Sequence, residues 1–342
     1  MVKAKRSLAT MRDVAELAGV SKQTVSAVLN GKPGITAETQ ARIRQAVATL
    51  GYQLDNVASS LRTGHTRTIA LLVSDISSPF IGRLAVAVEE YASAAGYSLV
   101  LHNTHDDVAR ESRYFTVAVE RKVEGVIFIA SADQSPGLEL LRVHGIPAVA
   151  IDRIPDSYSG PAVMLDNVKT GRIAAEHLLG LGHVHLAHIS APASVRMARD
   201  RWQGFQEAVA AQSDLPSPLI EIATGWDYAD GFQAMQHLLA AGNPLTALFA
   251  AGDALAIGAM RAIQSAGLHV PQQISVVGVD DIDSAAYQNP SLTTVRQSIT
   301  ELAQLSVQLL FDLLAGKEPM PSTIVMEPVL VVRASTALAR AG

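Results

Sequence analysis

Apolar positions along this chain change their spacing near residue 66. In residues 11–50 they recur every three or four positions, which is helical spacing. From residue 68 onward, short apolar runs such as TIALLVSD alternate with longer amphipathic stretches, and this rhythm restarts near residue 168. The pattern predicts a small all-α helix-turn-helix head followed by an α/β body with parallel sheets.

Two short helices joined by a tight turn are predicted for residues 11–30. Thr10 and Asp13 have capping-box spacing, and Ser21 is a good N-cap for the second helix. Gly19 supplies the permissive backbone with which the first helix can end. A third helix is expected after the cap residue Thr36. The residues expected on the inner faces of the three helices are Val14, Leu17, Ala18, Val25, Val28, Leu29, Ile43, Val47 and Leu50.

The second helix leaves polar side chains pointing outward near its start. The N-terminal residues of a recognition helix contact base edges in the major groove. Lys pairs well with guanine, Gln with adenine and an alanine methyl group with thymine, while Thr24 and Ser26 suit phosphate. A surface helical hairpin with solvated polar residues would show the same pattern. The outward set is Lys22, Gln23, Ser26 and Ala27.

The charge distribution favours the DNA-binding interpretation. Residues 1–66 hold nine Lys or Arg against four acidic residues, a net charge of +5, whereas the whole chain carries −5. Residues 67–342 therefore carry about −10. A basic head on an acidic body attracts phosphate at one end only.

Composition narrows the class of protein further. At 342 residues the chain is too long for one DNA-binding module, and 49% apolar residues are enough for real cores. The absence of cysteine excludes disulfides and thiolate chemistry and fits a reducing cytoplasm. No apolar run approaches transmembrane length, and no signal peptide is expected, because the basic N-terminus lacks a following apolar segment.

Notable side chains follow the strands predicted for the body. In open parallel sheets, ligands bind outside the carboxyl ends of strands. A flat Trp face with Arg and Asp partners suits a sugar or a small planar ring. Two of these residues have an alternative structural interpretation. Asp253 can cap the helix that follows it, and Asp281 can be a turn residue. The strand-end residues include Asp75, Phe80, Arg196, Arg199, Arg201, Trp226, Asp253, Asp280, Asp281 and Asp283.

An ordered set of motifs resembles the LacI/GalR family of bacterial transcription regulators. DVAELAGVSKQTVSAVLNG, TAETQARIRQAVATLGY and NVASSLRTG are similar to its headpiece and hinge, and the similarity continues along nearly the whole chain. The resemblance implies a head over residues 1–51, a hinge helix or linker over 52–66 and a periplasmic-binding-protein-like body over 67–342. Its two doubly wound lobes are expected at about 67–165 with 296–325, and at about 166–295 with 326–340.

The resemblance also assigns DNA contacts. Lys22, Gln23 and Ala27 match positions that contact major-groove bases, although the family often has Arg where this chain has Ala27. Leu61 matches an apolar wedge that enters the minor groove and bends DNA; spacing alone favours a plain linker in which Leu61 packs on the body. The full expected set is Thr10, Ser21, Lys22, Gln23, Thr24, Ser26, Ala27, Asn30, Asn56, Ala58, Leu61 and Arg62.

The same resemblance assigns effector contacts in the body. Arg201 and Asp280 match its most repeated contacts, and Trp226 matches its stacking aromatic residue. The first lobe is expected to contribute Asp75 and Phe80, and Asp253 completes the expected set. Many sugar-responsive relatives carry Asn before the Asp253 position, where this chain has Gly252.

Metal and catalytic roles are not expected. His177, His183, His185 and His188 lie close together in the sequence, but LGH at a helix end is common in this family without metal. His183 is expected to cap helix carbonyls instead. The chain contains no GxxxxGK[ST] loop, GxSxG elbow or GxGxxG fingerprint, so neither an enzyme nor a cofactor is expected.

The resemblance therefore implies a ligand-controlled DNA-binding regulator. It is expected to be a cytoplasmic homodimeric repressor of a carbohydrate-utilisation operon, with a palindromic double-stranded operator and a sugar-like effector as partners. A purine or nucleoside effector is the alternative within the same fold. A cytoplasmic small-molecule-binding protein without a DNA role is the other alternative, and it leaves the basic head unexplained. The chain ends without the leucine heptads that make some relatives tetrameric, so a dimer is expected.

Overall fold

A computed structural model of the chain describes residues 9–29, 32–52, 64–192, 194–212, 215–318 and 322–340. Contacts divide the chain into two compact units, residues 1–66 and residues 67–342. Within the described residues, the first unit is helical and the second holds the two sheets. The predicted domain order, an α-helical head followed by an α/β body, is confirmed.

The described part of the first unit contains the helices α1 (Met11–Ala18), α2 (Lys22–Leu29) and α3 (Ala37–Leu50). The Thr10 and Asp13 capping box is present, and Gly19 ends α1 with a φ of 63°. Leu17 was expected inside, but 54% of it is exposed. The inner face of α1 instead consists of Val14, Ala15 and Ala18, which leaves Leu17 at the edge of the apolar stripe. The core of the head is Val14, Ala15, Ala18, Val25, Ile43 and Ala46.

The first sheet of the body contains six strands among the described residues, in the order β11-β5-β4-β3-β1-β2. All of its strand pairs are parallel. The helix α12 packs across β3, β4 and β5 and against α4. The strands are β1 (Thr68–Val73), β2 (Ser98–Asn103), β3 (Gly125–Phe128), β4 (Ala148–Ile151), β5 (Ala162–Leu165) and β11 (Thr323–Met326), and the helices α4 (Pro79–Ala94), α5 (Val108–Glu120), α6 (Leu138–Val143) and α12 (Ile299–Leu314).

The second sheet also contains six strands among the described residues, in the order β12-β10-β9-β8-β6-β7. Its pairs are parallel except that β12 runs antiparallel to β10. The strands are β6 (Leu186–Ser190), β7 (Leu219–Ile222), β8 (Ala247–Ala250), β9 (Ser275–Asp280), β10 (Thr293–Arg296) and β12 (Val329–Val331), and the helices α7 (Asn167–Gly180), α8 (Arg196–Ala210), α9 (Tyr228–Ala240), α10 (Asp253–Ser265) and α11 (Asp283–Ala286).

The chain passes between the two sheets three times. It leaves the first sheet after β5, returns after β10 to form α12 and β11, and crosses again to β12. At the second crossing, the buried Gln297 donates from its amide to the Asp152 carboxylate at 3.1 Å. The body is therefore two sheets joined at one edge, with β1 to β4 and β6 to β9 ending toward a common cleft.

Candidate nucleic-acid surface and effector cavity

The N-terminus of α2 is the part of the head that was predicted to face DNA. Ser21 caps α2 by accepting from the Thr24 backbone amide at 3.1 Å, and the two hydroxyl oxygens are 2.9 Å apart. Lys22 and Gln23 follow this cap with exposed side chains, whereas Ser26 and Ala27 are half-buried. The helix start therefore presents an exposed cation and an exposed amide side chain, a suitable arrangement for DNA.

Several expected DNA contacts have local structural partners as well. The Thr10 hydroxyl donates to the Asp13 carboxylate at 2.9 Å, so it forms part of the cap of α1. The Ser21 and Thr24 hydroxyls bond to each other, as described above. Phosphate binding by these groups stays a prediction. Asn30, Asn56, Ala58, Leu61 and Arg62 lie outside the described residues.

A cavity of ≈ 210 Å³ lies in the cleft at the carboxyl ends of the strands. Asp75 follows β1, Trp226 follows β7 and Asp280 is the last residue of β9. Phe80 on α4 and Arg201 on α8 complete the five expected residues that line this cavity. The structure therefore brings together side chains that are up to 205 positions apart in the sequence.

Arg201 is held by buried contacts on the second-lobe side of the cavity. It is 1% exposed, its Nε donates to the Asn167 side-chain oxygen at 2.9 Å, and its Nη1 donates to the Ala251 carbonyl. Burial lowers the pKa of Arg201, and the carboxylates of Asp280 and Asp152 act in the opposite direction. A guanidinium remains charged in proteins, so Arg201 contributes a fixed positive charge to the cavity.

Close packing of two helices positions Arg201. A Cβ atom added to Gly204 of α8 would lie 1.8 Å from the Val168 carbonyl oxygen of α7, and one added to Gly171 would lie 1.9 Å from the Arg201 carbonyl oxygen. Only glycine permits this approach of the two backbones. The approach brings Asn167, at the start of α7, within hydrogen-bond distance of Arg201.

Asp280 provides an acceptor that the protein leaves available. Its carboxylate accepts no hydrogen bond from the residues that the structure describes, and it is partly exposed to the cavity. Burial raises the pKa of Asp280 well above its usual value, while the charge of Arg201 opposes this rise. Its φ of 111° lies in a region that L residues rarely adopt. Such strain often occurs at binding sites.

Asp253 does not line the cavity, in contrast to its predicted role in ligand binding. Its fully buried carboxylate accepts from the Thr294 hydroxyl at 2.6 Å and from the Ile282 backbone amide at 3.0 Å. Burial raises the pKa of Asp253 to about 7, although these two hydrogen bonds lower it. It is the first residue of α10 and not its N-cap, which is Gly252. Asp253 therefore connects α10 to β10 and to the loop after β9.

Arg153 also lines the cavity, although the sequence pattern did not predict it. Its Cζ lies 5.1 Å from the centroid of the Trp226 ring, in cation–π geometry, and its Nη1 lies 2.7 Å from the Asp106 carboxylate. Its Nε is buried without a hydrogen-bond partner among the described residues. Arg153 follows β4 of the first sheet and Trp226 follows β7 of the second, so this contact bridges the two lobes. The strand-end rule that selected Asp75 also applied to Arg153.

The first lobe contributes a carboxylate and an apolar side chain. Asp75 accepts from the Ser77 backbone amide at 3.0 Å. Burial acts to raise the pKa of Asp75, but hydrogen bonds from Ser77 and Asn103 outweigh it, so this pKa is lowered. Phe80 is 93% buried and still reaches the cavity wall. This side of the cavity therefore combines an ionised acceptor with an apolar surface.

Gly252 leaves space beside two of these residues. A Cβ atom at this position would lie 3.6 Å from Asp280 Oδ2 and 3.8 Å from Trp226 Cε3. A larger side chain would therefore project between the carboxylate and the ring. Because position 252 is glycine, the cavity is larger at the point where its polar and aromatic walls meet.

A second chamber of ≈ 260 Å³ adjoins the first. Asp152, Arg153 and Met197 line both, so these three side chains form the shared wall. Asp156 and Asp200 lie on the far side of that wall. The two spaces are neighbouring parts of one cleft between the lobes.

The clustered histidines have separate partners. His177 Nε2 lies 3.0 Å from the Thr336 hydroxyl oxygen, and His188 Nδ1 lies 3.0 Å from the Phe249 carbonyl oxygen. The ring Nε2 of His183 contacts the Ser275 hydroxyl and the Ala337 carbonyl, while its backbone amide donates to the Leu178 carbonyl at 3.2 Å, so His183 caps α7 through its backbone and not through its ring. No group of three or more potential metal ligands is found in the described part of the chain. None of the described helices is both long and apolar enough to span a membrane.

Comparisons with known proteins match both parts of the chain. Residues 10–55 match the family model "Bacterial regulatory proteins, lacI family", and residues 175–336 match "Periplasmic binding protein-like domain". The HTH-type transcriptional repressor PurR of Pasteurella multocida is 32% identical over 329 residues, 96% of this chain and 98% of that protein. The ribose operon repressor of Escherichia coli K12 is 32% identical over 332 residues, covering 96% and 100%.

A solved structure extends the similarity to three dimensions. The Lac repressor dimer bound to operator and the anti-inducer ONPF superposes with a TM-score of 0.86 at 29% identity. The similarity covers 97% of this chain and 100% of that one. The head and the two-lobed body therefore both have counterparts in one repressor fold.

Proposed function

Since the chain belongs to the LacI family of bacterial regulatory proteins, we propose that the cavity between its lobes binds a sugar or sugar derivative that controls its affinity for DNA. The protein is a ligand-responsive transcriptional repressor that acts as a dimer on operator DNA. Its proposed target is a carbohydrate-utilisation operon, and its proposed location is the bacterial cytoplasm, where operator DNA lies. We assign it no catalytic role.

The observation that carries this proposal is the convergence of Arg201, Asp280 and Trp226 on one cavity. A buried guanidinium donates, a carboxylate that accepts no hydrogen bond from the described residues can accept from the ligand, and an indole ring supplies apolar surface. Sugars require these three features, because their hydroxyls lie around the edge of a ring with apolar faces. The ribose operon repressor among the relatives supports the same class of ligand.

A purine or nucleoside is the second candidate effector. A planar base also fits against an aromatic ring and pairs with Arg and Asp side chains. The similarity to a PurR repressor at 32% identity favours keeping this candidate. Arg153 lies over the Trp226 ring, so a purine or a sugar that stacks on this face would have to displace the guanidinium or use another part of the ring.

DNA control is proposed to work through lobe closure. The effector contacts residues of both lobes, because Asp75 and Phe80 belong to the first and Arg201, Trp226 and Asp280 to the second. A ligand shifts a conformational equilibrium only by its difference in affinity for the two states. A cavity shared by both lobes supplies that difference. The hinge, with Leu61 proposed as its minor-groove wedge, is the segment that would respond.

A binding screen tests the effector class. We expect a neutral sugar to raise the melting temperature of the full chain in a thermal-shift screen against sugars, sugar phosphates and purines, because a ligand that binds only the folded state stabilises it. The hit should also change tryptophan fluorescence. Trp202 and Trp226 are the only tryptophans in the sequence, so loss of the signal in Trp226→Phe assigns it to the cavity. A screen in which only purines bind would contradict the sugar assignment.

A further inference from the structure

Acidic side chains dominate the described wall of the effector cavity. The cationic side chains among its described lining residues are Arg153 and Arg201, and both have partners. Arg153 pairs with Asp106, and Arg201 donates to Asn167 and Ala251. Six carboxyl groups line the same cavity: Asp75, Asp106, Asp152, Asp227, Asp230 and Asp280.

The excess of negative charge does not depend on every carboxyl group being ionised. Burial raises the pKa of Asp280 and of Asp227, so these two groups hold protons most readily. Even with both protonated, four carboxylates remain against two guanidinium groups. Asp75 is among the four, and its pKa is lowered. The ionised side chains of the described cavity lining therefore carry a net negative charge.

The adjoining chamber offers no better place for an anion. It adds three acidic side chains, Asp133, Asp156 and Asp200, and one cation, Arg196. The guanidinium of Arg196 lies 3.6 Å from the Asp156 carboxylate and 3.5 Å from the Asp200 carboxylate. Its charge is therefore balanced within the chamber, and the described lining is acidic on both sides of the shared wall.

We propose that the cavity selects an effector without negative charge and rejects sugar phosphates, sugar acids and nucleotides. The proposal rests on the proposed function, in which this cavity holds the effector. An ionised carboxylate only accepts hydrogen bonds, and so does a phosphate oxygen, whereas a hydroxyl group also donates. A hydroxyl group can donate to the Asp280 carboxylate, which lines the cavity and accepts no hydrogen bond from the described residues. An anion would lose its hydration in a space that repels it.

Collisional quenching of Trp226 tests the charge without any effector. The variant Trp202→Phe, or Trp202→Tyr if the first does not fold, makes Trp226 the sole tryptophan. Quenching constants for caesium, iodide and acrylamide are each divided by those of free N-acetyltryptophanamide. We expect the caesium-to-iodide ratio of these constants to exceed one several-fold at Trp226. A ratio of one or less overturns the proposal.

The control separates the cavity from the general charge of the body. In Trp226→Phe, the remaining Trp202 lies in a ring cluster with His188 and Phe205, outside the described cavity lining. It reports the average field of the acidic body. We expect its caesium-to-iodide ratio to be clearly smaller than that of Trp226. Equal ratios would mean that the cavity has no special charge and would overturn the proposal.

Matched ligands test the same selectivity by binding. Calorimetry on the full chain would compare ribose with ribose 5-phosphate, glucose with glucose 6-phosphate and with gluconate, and adenosine with its 5′-monophosphate. For any uncharged compound that binds, we expect its anionic counterpart to bind at least tenfold more weakly. An anionic member that binds as tightly as its counterpart overturns the inference. If none of the uncharged compounds binds, the result counts against the proposed function. The quenching ratio then still tests whether the cavity is negatively charged.

Discussion

The role of an aspartate depends on the direction in which its carboxylate points, and two aspartates of this chain show this. Asp280 is the last residue of β9 and Asp253 follows β8, and the sequence pattern predicted both to lie in the ligand site. Asp280 faces the cavity, whereas the Asp253 carboxylate points between α10 and β10 and bonds Thr294. The two positions differ in which side of the strand end they face, and sequence spacing does not reveal this.

The buried carboxyl group of Asp253 should make stability depend on pH. Its pKa is raised to about 7, so it stabilises the folded state below its unfolded pKa, and this contribution is lost as pH rises through about 7. In Asp253→Asn this loss is absent. From pH 4 to pH 8, the unfolding free energy of the wild type should therefore fall relative to the variant by on the order of 4 kcal/mol. Denaturant unfolding of both proteins across this range measures it.

Asp312→Asn is the control for that experiment. Lys317 holds the pKa of Asp312 below its usual range, so its contribution is present at higher pH and lost as pH falls. The wild type should therefore gain relative to this variant as pH rises, opposite in sign to Asp253. A pH-independent difference between Asp253→Asn and the wild type would show that Asp253 is not buried as a titrating group.

The sequence pattern predicted five of the residues that line the cavity, but it did not predict Arg153, which lines the cavity and the adjoining chamber. Arg201, Trp226 and Asp280 were found because unusual side chains follow apolar strands. Arg153 follows such a strand too, but its role depends on a ring that comes from a distant part of the chain. A contact between two loops of different lobes leaves no periodic signal in either loop.

Among the elements, the pair α7 and α8 determines where Arg201 lies. The backbones of these helices are so close that a methyl group on Gly204 would overlap the Val168 carbonyl. Gly204→Ala should therefore force the helices apart and lower the unfolding free energy by about 2 kcal/mol or more. Thermal unfolding of the variant should show a lower melting temperature and, if the effector is bound as proposed, weaker effector binding.

A matched substitution on α7 distinguishes packing from helix propensity. Gly180, the last residue of α7, has no atom within 4 Å of an added Cβ. Gly180→Ala should be neutral or slightly stabilising, because alanine is the better helix former. If both substitutions had the same effect, close packing at Gly204 would not be the cause.

The helix α2 allows a test of the DNA surface. Lys22→Ala should weaken operator binding by about 1–3 kcal/mol, as expected for a lost base contact, and weaken nonspecific binding much less. Lys32→Ala, an exposed lysine of the same head outside α2, should weaken both kinds of binding similarly through lost phosphate attraction. Fluorescence anisotropy with a selected operator and a scrambled duplex measures both. Equal losses for Lys22→Ala would remove it from the base-contacting set.

Most elements could be predicted from apolar spacing. β5 and β10 were not predicted, although they have four residues each, the same length as the predicted strands β3, β4, β7 and β8. Both lie next to the points where the chain crosses between sheets. Such strands form because neighbouring strands offer hydrogen bonds, and the tertiary structure therefore decides them.

For the whole molecule, the important feature is that the chain crosses three times between two similar lobes. Contacts across the cleft, such as Arg153 with Trp226 and Arg199 with Asp133 at 2.8 Å, already link the lobes. An effector in the cavity would add contacts to both sides. We therefore expect that changing one cavity residue alters the response to effector without altering the head.

The most direct test is the effector response of Asp280→Asn. The Asp280 carboxylate accepts no hydrogen bond from the described residues, so an isosteric amide should leave the fold and the operator affinity within about twofold of the wild type. Anisotropy of a labelled operator would be titrated with the sugar that gives the largest thermal shift. We expect the variant to need at least tenfold more sugar for the same change in operator affinity. A response at the wild-type concentration would contradict the placement of the effector in this cavity.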